Sequence, residues 1–282
     1  MAVLKRKFGW TGADVPVIGM GIWMIEGGRR ETIRQEIIES LDLGLDLGMT
    51  HIDTAEMYGN GRVEELVAEV VAGRREEVFL VSKIWPSNAS YEGTISACER
   101  SLARLKTDWL DLYLLHWPSD QYPIKETMRA MEKLVSEGMV NFIGVSNFDV
   151  EGLKLVEQSL TKERLACNQV PYHLGDRRIE QYLLPYCVSR QIAIVGYSPF
   201  GHGGFPSPRS ARGTVLAEIA KRHERTPRQV ALNFLTRHSG VFTIPKAARA
   251  EHIRENSGAD GGWKLTEEDI AAINRAFPLR SN

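Results

Sequence analysis

The sequence predicts a closed (β/α)8 barrel, and three observations carry that expectation. Eight apolar runs alternate with helical patterns along 282 residues, a length ample to bury one large core. The runs are apolar throughout rather than alternating, as in parallel strands covered by helices on both faces. An open doubly wound sheet, the main rival, normally carries a glycine-rich phosphate turn after an early strand. Neither GxGxxG nor GxxxxGK(S/T) occurs; Gly19-Met20-Gly21 and Gly59-Asn60-Gly61 each lack the third glycine.

A short N-terminal β-hairpin is expected first. The eight strands follow at 17–22, 50–53, 78–83, 110–116, 142–146, 166–170, 192–197 and 241–244. Helical patterns fill the gaps at 33–47, 62–71, 91–105, 125–137, 150–159, 179–190 and 211–238, with a last helix at 267–277. In the third, Ile95, Cys98, Leu102 and Leu105 fall on one face at helical spacing. Thr226-Pro227 supplies an N-cap and a proline suited to a first helical turn, so 211–238 reads as two helices. Gly44, Gly48 and Gly138, near helix ends, suit left-handed caps. No linker or low-complexity segment divides the chain, which reads as a single domain over 1–282 with a glycine-rich loop at 201–208.

Composition excludes several functions. Of the residues 43% are apolar and 25% charged, and 35 Lys and Arg balance 36 Asp and Glu, so no bulk charge draws the chain to nucleic acid or membrane. No apolar run approaches a membrane span, and MAVLKRKFGW lacks the apolar stretch of a signal peptide. Cys98, Cys167 and Cys187 are odd in number and widely spaced, which suits buried thiols in a reducing cytoplasm. The seven histidines are scattered with no HExxH, so no metal site is expected. Asn88-Ala89-Ser90 matches a glycosylation sequon but has no secretory signal to give it meaning.

In a barrel the active site lies at the carboxyl ends of the strands. There the sequence places Trp23, Asp53, Lys83, His116, Ser146, Gln169, Tyr197 and Lys246, one per strand in order. Taken singly, Asp53 could cap a helix, Lys83 could be a solvated strand end, His116 a core histidine and Tyr58 a loop anchor. Together Asp53, Tyr58, Lys83 and His116 suit proton transfer to an oxyanion. A tyrosine with a pKa near 10 is too weak an acid at neutrality, a neighbouring ammonium lowers that pKa, and an aspartate holds the ammonium in place. A neutral histidine orients the substrate oxygen. Such a site donates a proton while hydride reaches carbon from a reduced nicotinamide, which no side chain can replace.

The chain resembles the aldo-keto reductases over essentially its whole length. The resemblance rests on Gly48-Met-Thr-His-Ile-Asp-Thr-Ala-Glu-Met-Tyr-Gly-Asn60, Val81-Ser-Lys83, Leu114-Leu-His-Trp-Pro118 and Ile143-Gly-Val-Ser-Asn-Phe148. Asn168-Gln169, Gly196-Tyr-Ser-Pro199, Ile244-Pro-Lys246 and Arg254-Glu-Asn256 continue it. It implies that Tyr58 is the general acid, that Lys83 and Asp53 tune it, and that His116 orients the carbonyl. It also implies NADPH as preferred cofactor, with NADH tolerated. Ser146, Asn147 and Gln169 would bond the nicotinamide carboxamide and Tyr197 would stack on the ring. Ser198 and the loop from Gly201 would follow the pyrophosphate, with Gly21, Trp23, Pro199 and Ile244 in the same groove. Lys246 would reach the 2′-phosphate, and Glu255 and Asn256 the adenine.

Two positions depart from the family pattern. Ala247 stands where a Ser or Thr usually bonds the phosphate, and His252 where many members have arginine. Arg249 lies between them and offers a bidentate replacement. For the substrate, Trp23, Met24, Trp85 and Trp117 would wall an apolar pocket beside Tyr58 and His116, suited to aldehydes and ketones. The chain ends soon after its last helix, so an open mouth and a broad substrate range are expected, in a cytoplasmic monomer. Two other readings are a regulatory protein that holds NADPH in the same barrel and a Schiff-base aldolase using Lys83. The second leaves Tyr197, Gln169 and Lys246 without a role.

Overall fold

The computed structural model describes residues 3–23, 31–246 and 248–279. Eight parallel strands form one sheet: β3 (Met20–Gly21), β4 (His51–Asp53), β5 (Phe79–Ile84), β6 (Leu110–Leu115), β7 (Val140–Ser146), β8 (Leu165–Pro171), β9 (Ala193–Tyr197) and β10 (Val241–Ile244). They are ordered from β3 to β10 as in the chain. Parallel bridges Ile18↔Thr243 and Gly21↔Lys246 join the first strand to the last, so the sheet is the expected barrel. Every residue of β4, β5 and β10 is buried, which explains why these runs are apolar without alternation.

The first strand is shorter than the sequence suggests because its residues divide their bonds between two neighbours. Gly19 N–H donates to the Thr243 carbonyl at 2.8 Å, Gly21 N–H to that of Pro245 at 3.0 Å, and Ile22 N–H to that of Asp53 at 3.2 Å. A Cβ on Gly21 would stand 2.7 Å from the Ile244 carbonyl oxygen, so only glycine permits this seam. Outside the sheet, β1 (Lys5–Lys7) and β2 (Asp14–Pro16) form the expected antiparallel hairpin. Phe8 between them is fully buried against Phe79 and Phe242, with centroids 5.1 and 4.9 Å away, and plugs the amino end of the barrel. That leaves the carboxyl end for chemistry.

Helices α1 (Glu31–Asp46), α2 (Arg62–Val71), α3 (Tyr91–Leu105), α4 (Ile124–Ser136), α5 (Val150–Ser159) and α6 (Leu183–Arg190) follow the strands. The predicted helix 179–190 is divided into a 3-10 turn at Arg178–Glu180 and α6. Tyr182 leaves helical geometry between them, and Pro185 falls in the first turn of α6, where a missing N–H costs nothing. The stretch 211–238 is two helices, α7 (Ala211–Arg222) and α8 (Pro227–Leu235). Thr226 and Gln229 form the capping box that starts the second. Helix α9 (Ala250–Ser257), which periodicity did not mark, packs on α1, and α10 (Glu267–Ala276) lies against α7.

Candidate active site

Lys83 sits near the end of β5 with its side chain wholly buried. Its Nζ donates to Asp53 Oδ1 at 2.6 Å, to the Thr54 carbonyl at 2.7 Å and to the Tyr58 hydroxyl at 3.4 Å. The strand register makes this possible. Asp53 stands beside Val81 on β5, Lys83 follows two residues later on the same face, and the loop after β4 folds Tyr58 back over both. That loop turns sharply just past Tyr58, where Gly59, Asn60 and Gly61 all have positive φ, the two glycines supplying conformations that few residues tolerate. His116 lies one residue beyond β6, its backbone N–H on the Ile84 carbonyl at 3.1 Å. Its ring meets Tyr58 edge-on at 5.7 Å and stacks on Trp117 at 4.0 Å.

Electrostatics assign the protons. Burial disfavours the Lys83 ammonium, but Asp53 and Tyr58 more than restore it, so its pKa lies above the ordinary lysine value. Burial and Lys83 together push His116 down to about 2, so the imidazole is neutral at any physiological pH. For Tyr58 the expectation of a lowered pKa is corrected. Burial raises it and outweighs the Lys83 charge, so the phenol keeps its proton at neutrality. The ammonium therefore does not preform a phenolate at rest.

Three of the four groups face a cavity of about 320 Å³ at the carboxyl rim, with Lys83 buried behind them. Asp53, Tyr58 and His116 line it, as do Gly21, Trp23, Trp117, Ser146, Asn147, Gln169, Tyr197, Ser198, Ile244 and Lys246, every one a sequence-predicted site residue. Neighbouring bonds hold the rim in register. Ser146 Oγ donates to the Gln169 carbonyl at 2.9 Å, Asn147 Nδ2 to the His116 carbonyl at 3.1 Å, and the Tyr197 hydroxyl to Asn147 Oδ1 at 2.8 Å. Gln169 has a task the sequence did not disclose, since its Nε2 donates to Asp53 Oδ2 at 2.7 Å and occupies the carboxylate oxygen that Lys83 leaves. Asn147 and Ser198 hold positive φ although neither is glycine, local strain of the kind that collects at binding sites.

Other predicted residues lie apart from this cavity. Trp85 does not line it but packs edge-on against His116 at 6.1 Å and Trp117 at 5.7 Å. Glu255 accepts from Thr226 Oγ1 at 2.6 Å and lines a second groove with Phe200, Phe205 and Arg228. Gly201 packs against the His173 ring, and Pro199 precedes the same loop. Arg249 immediately precedes α9 and makes no side-chain cap bond, and His252 and Asn256 stand on that helix. Met24 and Ala247 fall outside the described residues.

Four contributors escaped the sequence: His202, Ile22, Thr54 and Glu56. His202 lines the cavity and meets Trp23 edge-on at 5.2 Å. The Thr54 carbonyl accepts from Lys83, and the Glu56 side chain accepts from the Trp85 backbone N–H, away from the cavity. A histidine set among loop glycines was the signal for the first; a main-chain acceptor leaves none.

The donor set fits a dinucleotide. Both polar atoms of the Asn256 side chain are buried without partners, as an amide awaiting a ligand would be. Burial and the charge of Arg249 both lower the Lys246 pKa, so two cations crowd one spot, an arrangement that suits a phosphate. Among the described residues no cluster of potential metal ligands exists and no helix is long and apolar enough to cross a membrane. The three cysteines are free and buried.

A buried Lys83–Asp53–Tyr58 group beside a neutral His116 at the carboxyl rim suits a barrel oxidoreductase. The family model described as aldo/keto reductase matches residues 17–277. The methylglyoxal reductase YeaE of Escherichia coli (strain K12) is 42% identical over 265 residues, 94% of this chain and 92% of that protein. The glyoxal reductase of Bacillus subtilis (strain 168) is 36% identical over 266 residues, 94% and 90% of the two chains. An aldo-keto reductase from Klebsiella pneumoniae, crystallised with NADPH, superposes with a TM-score of 0.91 at 40% identity, covering 100% of this chain and 98% of that one. The chain belongs to the aldo/keto reductase family.

Proposed function

We propose that this protein, as one domain over 1–282, reduces aldehydes and ketones to alcohols with NADPH. The observation that carries the proposal is the buried Lys83 ammonium, bonded to Asp53 and reaching Tyr58 beside a neutral His116. Reduced nicotinamide supplies the hydride, which the protein's own groups cannot. The Tyr58 hydroxyl donates its proton to the carbonyl oxygen as negative charge gathers there. Its raised pKa keeps that proton available at neutrality, and Lys83 then stabilises the phenolate. A ring N–H of His116 holds the carbonyl oxygen against Tyr58. Ser146, Asn147 and Gln169 would hold the nicotinamide end of the cofactor beside Tyr197, and Lys246 with Arg249 would hold its 2′-phosphate. That last pair favours NADPH while leaving NADH usable.

Trp23 and Trp117 remain 42% and 37% exposed at the mouth, which supports a broad range of small carbonyl substrates. The YeaE and Bacillus relatives, named for methylglyoxal and glyoxal, make 2-oxoaldehydes the first to try. A cytoplasmic monomer acting on small molecules alone is the simplest form. The test is NADPH oxidation with a carbonyl panel by the native protein and by Tyr58→Phe. Turnover by the native protein and none by a variant that still binds NADPH supports the proposal. NADPH binding by both without turnover of any carbonyl sinks it in favour of a cofactor-holding regulatory protein.

A further inference from the structure

We propose that Glu56 is a specificity-determining positioning residue, acting on the substrate through Trp85; the inference rests on the carbonyl reductase reading. Glu56 lies two residues before Tyr58 in the same loop, its carboxylate almost wholly shielded from solvent. Its Oε1 accepts from the Trp85 backbone N–H at 2.6 Å and from Asn88 Nδ2 at 2.9 Å. Its own N–H reaches back to the Lys83 carbonyl at 3.4 Å. Oε2 stands 3.7 Å from Arg100 of α3, a longer and weaker contact.

These bonds tie the loop that carries Tyr58 to the loop that carries Trp85, which backs the cavity-lining Trp117. They do not stabilise a helix: α3 already has its N-cap in Ser90, which accepts from Gly93 N–H at 3.0 Å. What they fix is where the chain leaves β5, and so where the Trp85 ring stands against His116 and Trp117. Ser119 Oγ adds a bond to the Pro86 carbonyl at 3.1 Å and links the loop bearing Trp117 to the same unit. Three rim loops are thus bonded into one unit, with Glu56 at one end. A carboxylate acceptor makes these bonds stronger than a neutral one would, and they add to the single long main-chain bond from Glu56 N–H to Lys83.

The consequence is selective. Releasing Trp85 leaves the Lys83–Asp53–Tyr58 bonds intact and loosens the support behind Trp117, which lines the cavity. A three-carbon 2-oxoaldehyde, reacting at His116 and Tyr58, barely feels it. A naphthaldehyde-sized substrate does.

The test compares Glu56→Ala and Glu56→Gln with the parent, using methylglyoxal and 2-naphthaldehyde. The same set in a Trp85→Phe background isolates the Trp85 contribution to acrylamide quenching. Glu56→Ala is expected to raise KM for naphthaldehyde roughly tenfold, about the effect of losing one apolar contact, with methylglyoxal kinetics and NADPH affinity within about twofold. Quenching of Trp85 rises. Glu56→Gln keeps an acceptor at Oε1 and restores the parent's behaviour. Equal losses for both substrates, an unchanged naphthaldehyde KM, or failure of glutamine to restore it overturns the proposal. A parent that reduces neither aldehyde overturns the reductase reading instead, and the quenching then decides by itself whether Glu56 positions Trp85.

Discussion

Replacing Lys83 by methionine removes the cation around which the site is built and keeps most of its volume. The ammonium is fully buried and makes an ion pair of 2.6 Å, so its loss leaves Asp53, itself 2% exposed, with Gln169 as its remaining side-chain partner. Breaking a buried pair by removing one member costs roughly 3–5 kcal/mol, because the other charge stays desolvated. Asp53→Asn leaves Lys83 buried with two neutral acceptors and should cost a comparable amount. Removing both charges at once leaves neither stranded. The double variant should therefore be more stable than the sum of the singles by at least ~2 kcal/mol. Reductase activity falls further than stability, by roughly 100- to 1000-fold in kcat, because a preorganised charge is lost where the phenolate forms. Urea unfolding of the four proteins measures the cycle, and steady-state kinetics in folded conditions measures the rest. Additive stability losses, or a Lys83→Met variant within about 1 kcal/mol of the parent, would refute the reasoning, since no buried pair behaves so.

His116, pushed down to about 2, is neutral throughout the working range, so kcat for reduction should show no ionisation near the ordinary histidine value. His116→Gln, a neutral donor, should lower kcat yet leave the pH profile between pH 6 and 9, on the order of neutrality, unchanged in shape. Asp260 behaves in the opposite way to a paired carboxylate: burial raises it from 3.8 to about 6 despite the Leu4 N–H and the Arg6 charge. Its folded form holds a proton more tightly than the unfolded chain does, so stability is greatest below 3.8 and is lost as pH rises through about 6. The displacement amounts to at most about 3 kcal/mol, and Asp260→Asn should abolish that part of the pH dependence in denaturant titrations at acid and neutral pH. Arg249→Ala should weaken NADPH by roughly tenfold or more while sparing NADH, the loss of one charged hydrogen bond, as fluorescence titration with each cofactor would show.

The barrel was legible because a strand covered on both faces has no freedom in composition. β5 is FLVSKI, and its one charge announces the site. The rim was legible because a polar side chain ending an apolar run has few other reasons to be there. What stayed hidden was set by contacts distant in sequence. Gln169 and Asp53 are 116 residues apart, and no pattern in either segment shows that they bond. The sign of the Tyr58 shift depended on depth of burial, which spacing does not reveal. α9 escaped because its exposed face is charged and its apolar contact is largely Ile253. Asn88 and Ser90, which together resemble a glycosylation signal, are engaged instead with Glu56 and with the first turn of α3.

The seam between β3 and β10 sets an order of events during synthesis. Gly21 must wait for Val241–Ile244, some 220 residues later (241 − 21), before its own side of the barrel can pair. At about 5–20 residues per second the ribosome leaves that edge open for roughly 10–40 s. Through that interval Phe8 lacks Phe242, one of the two phenylalanines it packs against, and an unpaired parallel edge is a template for pairing with another chain. A nascent chain arrested anywhere before residue 241 therefore keeps a sticky margin, and only arrival of the last strand turns an aggregation hazard into a closed seam.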